Sequence, residues 1–163
     1  MSRNILYPAL FALLLATGAN AAMDGMIKEI EVQVDLTAVT NPAAAARYAN
    51  LGADLQGALA ARLVDRIAED GMRVSVDLSE VELSNSFQEA VGLADSKLAG
   101  TVKISDLKDN THFDTYELVV TIDQALPFFA EGVYTVALTA SSDDYYKAMV
   151  AAFADAVVLR LQK

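Results

Sequence analysis

The stretch IKEIEVQVDL, residues 27–36, decides how this chain folds. On an extended backbone Ile30, Val32, Val34 and Leu36 fall on one side, and Glu29, Glu31, Gln33 and Asp35 on the other. A period of two with one apolar face describes a strand that rests one side on a core and turns the other to water. Antiparallel sheets carry most strands of that kind.

Working downstream, Thr40-Asn41-Pro42 closes this strand and opens a helix. Asn41 suits the N-cap, and Pro42 suits the first helical position, where its missing N–H costs nothing. Leu51, Leu55, Leu59, Leu63 and Ile67 recur every four residues, which predicts one long helix over 42–70. Gly71 then falls where a left-handed C-terminal cap belongs. Alternation resumes at Val74, Val76 and Leu78, and slips by one residue to Val81 and Leu83, so a bulge is expected near Ser79 and Glu80. Residues 84–95 read as a connection.

A third strand over 97–106 turns Leu98, Gly100, Val102 and Ile104 inward, and a fourth over 113–123 does the same with Tyr116, Leu118, Val120 and Ile122. The run Lys108-Asp109-Asn110-Thr111 between them has turn chemistry, so the two form a hairpin. After a connection containing Pro127, the β-branched content of 133–139 predicts a fifth strand. A closing helix begins at Ser141 or Ser142, with Asp143 and Asp144 at its positive end and Tyr146, Met149, Val150, Phe153, Val157 and Leu161 along its buried stripe. The expected fold is therefore α+β: a mainly antiparallel sheet of about five strands with two helices packed on one face, in the order β-α-β-β-β-β-α.

Upstream, Arg3 precedes an apolar run over 5–16, and Ala19-Asn20-Ala21 supplies small residues at a cleavage site. That pattern is a secretory signal peptide over 1–21, leaving 22–163 as a single α+β domain. At about 12 residues the run is shorter than the roughly 20 that span a bilayer, so no stable membrane span is expected once the leader is gone. The expected location is periplasmic or secreted. With no cysteine in 163 residues, thiol catalysis, thiolate metal sites and a lipobox are excluded. A formal charge of −10 argues against nucleic acid, whose phosphates need clustered Lys and Arg.

Chemistry is sparse. His112 is the sole histidine and lies beside the expected hairpin turn, where a solvated turn residue is the plain reading. Asp106, Asp109 and Asp114 offer oxygen ligands to a hard cation, but without the spacing, central Gly or terminal Glu of an EF-hand. No catalytic residue and no cofactor are assigned. Phe128, Phe129 and Tyr145 are the candidates for an interaction surface. The two Phe rings sit in a short connection, where exposed bulky apolar groups mark contact sites. The function that follows is an exported, non-catalytic accessory domain of the bacterial cell envelope, working through contacts with an envelope protein or a second copy of itself. The alternatives are a small-ligand carrier with a pocket between sheet and helices, and a carboxylate- or metal-dependent enzyme.

Overall fold

In the computed structural model the described residues are 25–36, 45–46, 48–79, 97–109, 113–129 and 143–162. They form β1 (Ile27–Asp35), α1 (Leu51–Arg62), β2 (Met72–Ser79), β3 (Lys97–Ser105), β4 (Phe113–Thr121), a short α2 (Ile122–Ala125) and α3 (Asp143–Arg160). Single turns of 3-10 helix follow α1 at Val64–Arg66 and α2 at Leu126–Phe128. The leader, the Asn41-Pro42 cap, the bulge expected at Glu80, the 84–95 connection and His112 lie outside the described residues.

The four strands make one sheet in the order β1-β2-β3-β4. Two expectations need correction. The sheet among the described residues has four strands rather than five, and 133–139 lies outside them. It is also mixed, because β1 runs parallel to β2 while β2–β3 and β3–β4 are antiparallel. The helix explains the parallel pair: α1 carries the chain back along the sheet, so β2 starts at the end where β1 started. Alternation shows that one face is wet, but parallel strands can show it too.

The inner face is the one the sequence marks. Val74, Val76 and Leu78 of β2, Leu98, Val102 and Ile104 of β3 and Val120 of β4 are buried, with Ile30, Val32 and Val34 of β1 packed against them. Both long helices cover this face. Leu51, Leu55 and Leu59 bury the inner stripe of α1, and α3 buries Tyr145, Ala148, Met149, Ala152, Phe153 and Val157. The two helices run side by side in the same direction. Tyr146 donates its hydroxyl to Asp54 (2.6 Å) near their starts, and Arg62 donates to the Ala151 carbonyl (3.1 Å) further on.

The first helix is much shorter than the leucine repeat predicts. It ends at Arg62, and Leu63, fully buried, is the last residue of the stripe. The chain then tightens into the 3-10 turn, and Ile67 is extended and half exposed, forming a bridge with Ile27. The Ala68 N–H donates to the Ile27 carbonyl at 2.9 Å. A backbone bond to β1 is thus made in place of another helical turn, and β-branched Val64 and Ile67 give the helix little reason to continue.

Gly71 is not a left-handed cap, since Gly25 is the glycine with positive φ among the described residues. Its role is close approach: a Cβ there would meet the backbone of Ile27 and Lys28. That backbone is irregular, with a register shift between Ile27 and Glu29, which lets both Ile27 and Ile30 turn inward. At the other end of the sheet, β4 stops at Thr121 because Thr121 and Gln124 form a capping box. The Thr121 N–H donates to Gln124 Oε1 at 2.9 Å.

Candidate functional site

The three aspartates singled out in the β3–β4 hairpin do not converge. Asp106 folds onto its own turn, its Oδ1 accepting the backbone N–H of Lys108 (2.7 Å) and of Asp109 (3.3 Å). Asp114 stands on the inner face of β4, opposite Ile104, and pairs with Arg160 at the end of α3 (3.3 Å). The Arg160 guanidinium also lies 5.0 Å above the ring of Tyr116. Among the described residues no three His, Cys, Asp or Glu side chains are grouped to hold a metal. Conformation explains these acids: Asp106 caps a turn, and Asp114 receives a cation.

Tyr116 has its hydroxyl buried without a hydrogen-bond partner. Desolvation pushes its pKa up to about 12, with the Arg160 charge working against the rise and Asp114 adding to it.

The three aromatic candidates are core residues to different degrees. Tyr145 is buried at 4 % exposure, so its ring presents no surface to a partner. Phe128 and Phe129 are half-buried and pack against the hydrophobic core, closing it at the 3-10 turn that contains Pro127. Leu126, at 44 % exposure, is the outward member of that segment. Tyr146 is half-buried and pairs its ring with Tyr48, centroids 6.2 Å apart. Tyr48, Tyr145, Tyr146, Leu98 and Met149 line a groove enclosing about 20 Å³, room for about one water rather than the few hundred Å³ that a carried ligand fills.

The outer face of the sheet is organised differently. The parallel register sets Glu29 opposite Arg73, and the two form an ion pair at 2.7 Å, with a second bond from Arg73 Nε at 2.8 Å. On β3 and β4, Thr101 donates to Glu117 at 2.9 Å across an aligned pair. Glu31, Asp35, Asp77 and Lys103 share the face, so acids outnumber bases. Which residues lie on this face is legible from parity. The pairing of Glu29 with Arg73 is not, because it depends on a parallel register that one sequence does not disclose.

The β1 edge is not an open template for another strand. Gln56 of α1 donates to the Ile30 carbonyl at 2.9 Å, and a Cβ added at Gly52 would lie 3.5 Å from the Val32 carbonyl oxygen. The helix leans over the edge, one of the ways proteins blunt strand addition.

No helix among the described residues is long and apolar enough to cross a membrane. No protein-family model and no curated protein matches the sequence. Among solved structures, one described as a "putative lipoprotein" from Caulobacter crescentus CB15 aligns over 86% of this chain and 90% of that one. The identity is 14% and the TM-score 0.41, a distant likeness that assigns no function.

Proposed function

We propose that this is an exported accessory domain of the bacterial cell envelope, cleaved after Ala21, that works by binding rather than by catalysis. The surface it uses is the outer face of the sheet, and the occupant is a basic face of another envelope protein. The observation that carries this reading is the charge of that face. Glu29, Glu31, Asp35, Asp77 and Glu117 stand there against Arg73 and Lys103, on a surface made rigid by strand pairing. A broad face on which acids outnumber bases favours a large basic partner, speeding encounter and fixing orientation more than adding affinity.

The test is photo-crosslinking in cells, with the reactive residue at Asp77 on the outer face or at Lys147 on the helix side; both positions are exposed. The expected result is one stoichiometric adduct from position 77 and none from 147, lost when Glu117→Lys and Glu31→Lys reverse the charge. Equal capture from both positions, or an adduct indifferent to charge reversal, overturns the reading. Mass analysis of the exported form tests the leader separately: it should begin at Ala22.

A further inference from the structure

Seven large apolar side chains are exposed among the described residues, and five of them lie toward one end of the sheet, on its outer rim and on the helix layer. Val64 and Ile67 follow α1, and Ile67 bridges to the first residue of β1. Leu107 lies just past the end of β3, Phe113 opens β4 opposite Ser105, and Leu159 is in the last turn of α3. Their exposures run from 40 % at Leu107 to 66 % at Val64. Charges at this end are partly neutralised in place, Lys108 by Asp70 and Arg160 by Asp114.

This is also the end at which the chain enters the fold. Gly25 precedes β1, with φ +56°, and its α-carbon packs so closely on the Arg66 guanidinium that a side chain would overlap it. Arg66 in turn donates to the Leu161 carbonyl at 3.2 Å. The entry point is therefore fixed to both helix ends. Upstream stands the apolar run over 5–16. The nine residues from there to Gly25 reach about 30 Å at full extension. While that run sits in a membrane, this end of the domain is held within one bilayer's thickness of the lipid.

We propose that in the leader-bearing chain this apolar end rests on the bilayer surface, with Phe113 and Leu159 entering the interface. Phe and Leu on the rim of a tethered domain partition there without needing a basic patch. The acidity of the chain makes the preferred surface zwitterionic. Phe113 sits at the rim of the outer sheet face and Leu159 on the helix side, so Leu159 reads this contact apart from the face proposed for the protein partner.

The chain has no Trp, so single reporters can be placed at will. Full-length protein carrying Phe113→Trp, Leu159→Trp or Val119→Trp is reconstituted into phosphatidylcholine vesicles with and without brominated lipid. Val119 is exposed but lies on β4 opposite Ala99, near the far end of the sheet. Leu159→Trp, on a helix, preserves the test if Phe113→Trp disturbs the hairpin. The expected result is blue-shifted emission and loss of roughly half the signal to brominated lipid at 113 and 159, and neither at 119. Equal quenching at all three positions, none at 113 and 159, or failure of the full chain to stay with the vesicles overturns the proposal. So does a blue shift at 113 and 159 without vesicles, which would assign the surface to a second copy or another protein.

Discussion

Gly71 packs flat against the backbone of Ile27: a Cβ at position 71 would stand 2.5 Å from the Ile27 carbonyl carbon and 2.6 Å from the Lys28 nitrogen. Neither atom can move without disturbing the irregular start of β1, where Ile27 is fully buried and Met72 N–H donates to the Met26 carbonyl at 2.9 Å. Gly71→Ala is therefore expected to destabilise the domain by about 1–3 kcal/mol through overpacking. Gly57→Ala is the opposite case. Nothing lies within 4 Å of the added Cβ, so helix propensity alone acts, raising stability by about 1 kcal/mol and Tm by roughly 2–4 °C. Thermal unfolding of the two variants checks both signs. Similar losses at 57 and 71 would mean that the close approach at Gly71 is not the cause.

The contrast between these glycines shows what the sequence could and could not convey. Parity marks the inner face of every strand from Ile30 to Val120, because a side chain's face depends only on its own neighbours in the chain. Helix length failed, since Ile67 fits the leucine repeat in spacing yet is taken by a backbone bond to β1. Strand direction failed for a related reason: the parallel pairing of β1 and β2 follows from where α1 sets the chain down. The candidate aspartates were legible as turn-formers through Asp106. The partner of Asp114 lies 46 residues away and leaves no local trace.

Arg62 joins the two long helices. It donates to the Ala58 carbonyl of its own helix and to the Ala151 carbonyl of α3, both at 3.1 Å, while its Nε stands 3.8 Å from Asp155. The carbonyl bonds are short and part-buried, and the carboxylate contact is long and more exposed. Arg62→Ala should cost about 1–2 kcal/mol in urea unfolding. Arg62→Lys should recover only part of this, having no fork to reach two carbonyls. Asp155→Ala should cost no more than about 0.5 kcal/mol. If Asp155→Ala matched Arg62→Ala, the charge and not the carbonyls would be what holds the helices.

The Asp70–Lys108 pair fastens the hairpin turn to the segment before β2. The hydrogen bond from Lys108, then its charge and more weakly that of Lys28, hold the Asp70 carboxyl below its ordinary 3.8 against a small opposing effect of burial. A carboxylate whose folded pKa is depressed contributes stability above its unfolded value, and that contribution fades as pH falls through the folded value. The loss of that contribution is therefore confined to acid below about pH 4. Lys108→Ala should return the Asp70 titration upward in an NMR pH series and leave stability at pH 7 nearly unchanged, since both groups are exposed. An unmoved Asp70 titration would show that the ion pair does not persist in solution.

Tyr116 should behave in the reverse sense at the alkaline end. Its folded pKa is raised to about 12 from an unfolded 10.0, so the folded state keeps a proton that the unfolded chain gives up first. The stability tied to that proton is complete below pH 10.0 and is lost as pH climbs toward about 12. Tyr116→Phe removes a buried hydroxyl with no partner and keeps the ring under Arg160. At pH 7 the variant should be as stable as the parent, or better by up to about 1 kcal/mol, because no satisfied bond is lost. Between pH 10 and 12 it should lose less stability than the parent, and the tyrosinate absorbance titration should lack its latest component. A variant that is less stable at neutral pH would mean that the hydroxyl does have a partner in solution, and the cause assigned to the high pKa would have to be replaced by a hydrogen bond to the neutral form.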